Sequence, residues 1–182
     1  GLGDVYKRQA ELEEELTIKI NTKAPEAFAL ALNKNGGKLL QISTDYVFNG
    51  EKKSSYDVND EQSPINIYGK SKHLAEKRIN EILKEKNRFI ILRTSWLMSL
   101  NKENFVTKIL KLLNEKDEIK VVYDQISSPT TTASLAMTIW KIIYHSDIFS
   151  KNGEIFPKIF HFSNSGIATV SYTHLRAHET SN

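Results

Sequence analysis

The feature that most constrains this sequence is an alternation of short apolar runs with longer stretches of helical period. Leu39-Leu40-Gln41-Ile42 and Phe89-Ile90-Ile91-Leu92 read as strands, and the second carries no polar side chain at all. Such a run suits a parallel strand covered on both faces. Between them, Asn66 to Lys84 brings Ala75, Ile79, Ile82 and Leu83 to one side of a helix. Strand, helix, strand in that order is a βαβ unit, in which the helix carries the chain back so that the two strands run parallel.

The same rhythm extends in both directions. From Glu11, the apolar residues Leu12, Leu16, Ile20, Ala24 and Phe28 recur every four positions, followed by Ala31 and Leu32, which predicts a helical stripe facing the core. Pro25 interrupts it. A short helix to about Ile20 is therefore expected, then a second from Pro25 with Asn21 or Thr22 near its cap, ending at Asn35-Gly36-Gly37. Lys38 to Ser43 follows as a strand and Gly50 to Ser63 as a polar loop. Beyond Phe89, the pattern predicts a helix over Asn104 to Glu115, a strand over Ile119 to Tyr123, a helix over Thr132 to Tyr144 and a strand over Ile155 to Phe162. Met137, Trp140 and Ile143 are expected in the core of the last helix. Alternation of this kind predicts an α/β fold with a doubly wound, Rossmann-like parallel sheet.

Composition removes several functions. In 182 residues, 25 basic and 22 acidic side chains are interspersed, so the net charge of +3 comes with no basic block that would read nucleic acid. No apolar run approaches the roughly 18 residues of a membrane helix. The absence of cysteine excludes disulfides, thiolate nucleophiles and cysteine zinc sites together. His73, His145 and His161 are isolated and lack ligand spacing, so no metal site is expected from them. A cytoplasmic protein fits these traits. Residues 1–9 and 171–182 resemble translated sequencing-adapter readthrough and do not continue the adjoining pattern; the protein proper is expected over 10–170.

Ser43-Thr44-Asp45 stands at the carboxyl end of the first strand, the edge at which open α/β sheets bind ligands. Tyr68 and Lys72 lie four apart at a helix start, so they share a face. Reduction of a carbonyl by hydride transfer needs a proton donor, a cation that makes the donor more acidic, and a hydrogen bond that orients the carbonyl. Tyr68, Lys72 and Thr44 are of those three types. A free phenol titrates near pH 10, so a neighbouring ammonium is expected to bring it into range.

Tyr-x-x-x-Lys alone recurs by chance in a Lys-rich chain; an ordered set does not. STDYVF at 43–48, YGKSK at 68–72, RTSW at 93–96, NF at 104–105, DQISSPT at 124–130 and HFSNSG at 161–166 occur in sequence. That set resembles the extended short-chain dehydrogenase/reductases, and within them the dTDP-4-dehydrorhamnose reductases, over approximately residues 10–169. The resemblance implies Thr44, Tyr68 and Lys72 as a catalytic triad. It implies Tyr68, Lys72 and Ser43 as contacts to an NADPH or NADH cofactor. It further implies Thr44, Asp45, Trp96, Asn104 and Gln125 as contacts to a dTDP-4-keto-6-deoxy sugar, with Mg2+ and a homodimer as further traits of the family. Two departures stand out: the Gly-rich G-x-G-x-x-G turn is absent, and RTSWLMSLNKEN differs from the usual run after the Trp. The chain is accordingly read as a truncated piece, expected to be inactive by itself. Two other readings use the same scaffold. One is a non-catalytic subunit like the regulatory subunit of methionine adenosyltransferase; the other is a nucleotide-sugar dehydratase or epimerase, against which Asp45-Tyr46 stands where dehydratases carry Asp-Glu.

Overall fold

The computed structural model describes residues 9–84, 88–99, 107, 111–112, 114–115, 126–145 and 158–169. Its centre is a three-stranded parallel sheet of β1 (Leu39–Thr44), β2 (Phe89–Thr94) and β6 (Ile159–Phe162), with β2 in the middle. Leu39 pairs with Phe89 and Thr44 with Thr94, while Ile91 pairs with Ile159 and Thr94 with Phe162. Thr44, Thr94 and Phe162 therefore end in one row at the carboxyl edge. Ser43, Arg93 and His161 form the row beneath and point to the other face. Every residue of β2 is buried, as its apolar sequence predicts for a central strand. The second edge of β1 pairs with no described strand.

One face of this sheet is covered by α2 (Ala24–Asn35) and α3 (Ile67–Leu83). Ala29, Ile79, Leu83, Phe89 and Ile91 form the buried cluster, joined by Leu39, Ile82 and Ile159. Each large member removed from water contributes about 1.5–3 kcal/mol. The first three elements nevertheless correct the sequence reading. The chain is helical from residue 9 with a step at Glu13. It passes through α1 (Glu14–Ile18) and a π turn (Lys19–Lys23) directly into α2. Pro25 does not end the helix. It has no N–H to offer the Asn21 carbonyl and its ring would crowd that oxygen, and the wider turn relieves both demands. Neither Asn21 nor Thr22 caps α2, whose cap residue is Lys23. Both turn instead to α3: the Thr22 hydroxyl donates to the Ser71 carbonyl at 2.8 Å and Asn21 Nδ2 to Ser71 Oγ at 3.2 Å.

The apolar stripe also faces the other way. Leu12, Leu16, Ile20 and Phe28 are exposed, Leu12 by 86%, and the packed side carries Ala10, Thr22, Pro25 and Ala29. Helices that approach closely need small side chains between them, so the large ones stay outside. The helix α4 (Thr132–Tyr144) repeats this outcome: Leu135 is buried, whereas Met137, Trp140 and Ile143, expected as core, are exposed. Periodicity identifies an apolar face without saying what lies against it.

Short pairings complete the fold. β3 (Leu97–Met98) runs parallel to β5 (Thr130–Thr131), and β4 (Ile126–Ser127) runs antiparallel to β7 (Ala168–Thr169). The strand expected over Ile119 to Tyr123 lies outside the described residues. Of the helix expected over Asn104 to Glu115, only Thr107, Lys111, Leu112, Asn114 and Glu115 are described, all helical.

The start of α3 is tied down on three sides. The Asn66 side chain accepts from Gly69 N at 2.7 Å, Glu11 accepts from Ile67 N at 2.8 Å, and Gly69 lies against the Tyr46 backbone. A Cβ at position 69 would sit 2.1 Å from the Tyr46 carbonyl oxygen, with no flexible side chain to give way. Gly69→Ala is thus expected to destabilise the full-length protein by about 1–3 kcal/mol or more. Its urea midpoint should fall by the corresponding amount, and an unchanged midpoint would refute the close contact.

Candidate functional site

Thr44 is the last residue of β1, and its hydroxyl is engaged on both sides. Oγ1 accepts from Tyr46 N at 3.2 Å, starting the 3₁₀ turn Asp45–Val47, and donates to Asp45 Oδ1 at 3.0 Å. That turn meets α3 at Gly69, so Tyr68 arrives beside it, its ring edge-on to Tyr46 with centroids 6.2 Å apart. One turn further along α3, Lys72 Nζ donates to the Ile42 carbonyl at 3.3 Å. Thr44, Asp45, Tyr68 and Lys72 are thereby gathered at the carboxyl end of one strand. Ser43, 4% exposed, points to the opposite face of β1, and its hydroxyl has no hydrogen-bond partner. Trp96 follows the end of β2 with φ of +41°, the one described residue other than glycine with positive φ. Its carbonyl accepts from Thr130 N at 3.1 Å, which holds this unfavourable conformation against the SSPT segment. Asn104 and Gln125 lie outside the described residues.

Electrostatics at this corner favours neutral groups. Burial raises the Tyr68 pKa above its ordinary value; a hydrogen bond with Thr44 opposes the rise, and Asp45 and Tyr46 add to it. Burial lowers that of Lys72, and Glu76 opposes the fall. The expected lowering of the phenol by Lys72 is not what governs it here. The ammonium is directed to the Ile42 carbonyl, and removal from water penalises phenolate more. What the corner holds is a protonated phenol beside an oriented hydroxyl, the arrangement needed to deliver a proton to a developing oxyanion.

Beneath it runs a buried network that sequence reasoning did not single out. Arg93 Nη2 donates to Glu76 Oε2 at 2.8 Å, and Nε donates to both carboxylate oxygens at 3.1 and 3.2 Å. Both side chains are almost fully buried. Gln62 Nε2 adds a donor to Glu76 Oε2 at 2.9 Å, and the Gln62 carbonyl accepts from His73 Nδ1. Arg93 Nη1 donates to the Val58 carbonyl at 3.3 Å and to His161 Nε2 at 3.2 Å. The Arg93 guanidinium also lies over Phe48, which stacks on Tyr56 at 4.3 Å. The polar loop after β1 is in this way clasped to α3 and β2. One signal was available: Glu76 falls among the inward positions of α3, where a solvated glutamate has no place. A cleft of about 370 Å³ opens beside the network among Gln62, His73, Phe89 and Lys158, and neither Thr44, Tyr68 nor Lys72 lines it.

The two histidines of the network make it sensitive to acid. Burial, seconded at His161 by Arg93, lowers both from the ordinary 6.5, with Glu76 opposing in each case. His161 also accepts from Arg93, which a protonated ring could not do. An unfolded chain then binds protons more readily than the folded one, so this contribution is complete above about pH 6.5 and is lost as pH falls from there toward the folded values. Thermal scans of the full-length protein should show a midpoint that declines as pH falls below about 6.5, and a shallower decline in His161→Gln.

Comparison with known proteins places this geometry. The family described as the RmlD substrate binding domain matches residues 5–177. The spore coat polysaccharide biosynthesis protein SpsK of Bacillus subtilis (strain 168) is 40% identical over 161 residues, 88% of this chain and 52% of that protein. The dTDP-4-dehydrorhamnose reductase of Sinorhizobium fredii (strain NBRC 101917 / NGR234) is 34% identical over 88% of this chain and 53% of its own length. Among solved structures, the dTDP-4-dehydrorhamnose reductase of Bacillus anthracis str. Ames in complex with NADP superposes with a TM-score of 0.78 at 37% identity, covering 93% of this chain and 58% of that one. A UDP-glucuronic acid 4-epimerase from Bacillus cereus shares the fold alone, with a TM-score of 0.71 at 15% identity. The expected Rossmann-like α/β fold is the one these structures share, and the chain spans about half the length of the curated relatives it matches. With the match running nearly end to end, this chain belongs to the RmlD substrate binding domain family.

Proposed function

We propose that the full-length protein bearing this chain reduces dTDP-4-dehydro-L-rhamnose to dTDP-L-rhamnose with NADPH or NADH, in the cytoplasm. The observation that carries this reading is the convergence of Thr44, Tyr68 and Lys72 at the carboxyl end of β1. When bound, the nicotinamide supplies hydride to the ketone carbon. Tyr68 then gives its hydroxyl proton to the carbonyl oxygen, while Thr44 orients that oxygen and Lys72 provides positive charge as phenolate forms. The cofactor ribose has Tyr68, Lys72 and the unpartnered buried Ser43 hydroxyl to meet. The sugar nucleotide falls to Thr44, Asp45 and Trp96, and the family resemblance adds Asn104 and Gln125 to its contacts. Among the described residues no group of three or more His, Cys, Asp or Glu side chains could hold a metal ion. No described helix is long and apolar enough to cross a membrane. A homodimer belongs to the same reading, and the exposed Leu12, Leu16, Ile20 and Phe28 offer apolar surface for it. Elimination of water is disfavoured, because Tyr46 packs edge-on against Tyr68 where a dehydratase needs a second carboxyl group.

A relative from Streptomyces niveus is a dTDP-4-keto-6-deoxy-D-glucose reductase, 30% identical, so both ketosugars serve as probes. NADPH oxidation by the full-length protein is expected with at least one of them. Tyr68→Phe should lower kcat by about 10²–10⁴-fold while KM stays near wild type, because only the transferable proton is lost. Lys72→Met should weaken cofactor binding and alter the pH dependence of kcat together. A Tyr68→Phe variant within a few-fold of wild type would overturn the reading.

A further inference from the structure

The Arg93–Glu76 pair does more than its burial requires. A neutral pair of apolar residues would fill the same space between α3 and β2 without taking two charges out of water. The carboxylate, however, lies on α3 four residues beyond Lys72 and eight beyond Tyr68, on the helix face turned to the sheet. We infer that Glu76 is a positioning residue for the Tyr68–Lys72 pair: clamped by Arg93, its carboxylate anchors α3 to β2 and supplies the negative charge that Lys72 needs inside the fold. This inference rests on the reductase reading given above.

The anchoring is direct. Three hydrogen bonds from the Arg93 fork and one from Gln62 fill the carboxylate's acceptor sites, so Glu76 has one place and one orientation. The electrostatic part follows from the groups carried by the elements packed against α3. The helix itself carries Tyr68, Lys72, Glu76 and the half-buried His73; β1 gives its Ile42 carbonyl to Lys72; the 3₁₀ turn carries Asp45 and Tyr46; β2 carries Arg93, whose guanidinium is bonded to Glu76. The π turn presents Asn21 and Thr22, both bonded to Ser71, while its Lys19 and Lys23 are exposed. β6 contributes His161, bonded to Arg93. Of these, Glu76 is the group whose charge favours the ammonium against burial. Replacing it by glutamine removes that charge and leaves the Arg93 cation uncompensated in the same space. Both changes disfavour a charged Lys72.

The test is the pH dependence of kcat in the full-length protein, with cofactor and ketosugar saturating. Glu76→Gln is expected to move the alkaline limb to lower pH by roughly one unit, because Lys72 loses its proton sooner. Glu76→Asp keeps the charge and should leave the limb near its wild-type position even if kcat falls. A variant that loses packing alone would lower kcat evenly across pH. Because Glu76→Gln leaves a buried cation and can fail to fold, the double variant Glu76→Leu, Arg93→Met supplies a second measurement: both charges are gone, and a smaller shift in the same direction is expected. Profiles of Glu76→Gln and the double variant that overlay wild type, while Lys72→Met alters its own, would overturn the role of Glu76 alone. If Lys72→Met also overlays wild type, the reductase assignment of Lys72 falls with it.

Discussion

A helix can deliver a phenol and an ammonium to the end of a strand only if its backbone is allowed to arrive there. In this fold the permission is given at Gly69, where the first turn of α3 comes so near the Tyr46 carbonyl that no side chain fits between. The neighbouring contacts presuppose that approach. Asn66 and Glu11 satisfy amide hydrogens at the start of α3, which would otherwise lose water without replacement. Tyr68 then reaches the 3₁₀ turn, Lys72 reaches the Ile42 carbonyl, and Ser71 receives the polar residues of the π turn. A methyl group at one position would separate helix from strand end, and the site with it.

What the glycine permits, the interior charges hold in place. Arg93 projects from the central strand to the same face as the apolar cluster, one register row below Thr94, and meets a carboxylate rising from α3. Because its remaining donor reaches Val58 and His161, the pair also joins the loop after β1 and the third strand. Burying an ion pair is seldom the most stabilising choice, but it has a single satisfactory geometry. An apolar interface tolerates small slips of a helix along a sheet, whereas a fork of hydrogen bonds does not. That difference suits a helix that brings two side chains to the end of a strand.

The parts of this fold written in regular periods were legible in the sequence. β1, β2 and α3 appear where alternation and spacing put them, although Asn66, read as the first helical residue, is the cap of α3. Thr44, Tyr68 and Lys72 can be singled out in the sequence because a helical spacing and a strand terminus are local features. Pro25 misled, since a proline marks a demand on the backbone and not how the backbone meets it; a π turn met it without breaking the helix. The Leu12 to Phe28 stripe and the Trp140 face misled in another way, as apolar spacing cannot reveal whether small residues on the opposite side make the closer packing. Glu76 and Arg93 are seventeen residues apart in the chain and become partners only through the β2 register. The two-residue strands β3, β4, β5 and β7 are too short to carry any period.

The central sheet contains no local pairing. Leu39 meets Phe89 fifty positions later, and Ile91 meets Ile159 sixty-eight positions later, so each edge of β2 is closed by a distant part of the chain. Contacts of that separation form late, because the loop between them must be ordered before the pairing rewards it. Until β6 docks, the apolar strand β2 has one hydrogen-bonding edge open, and the exposed Leu12 and Leu16 are available to any neighbour. The parallel register that aligns Thr44, Thr94 and Phe162 therefore makes the order of assembly matter. During synthesis, a chain whose second and third strands are long delayed would depend on dilution or a chaperone to keep that edge from pairing with another molecule.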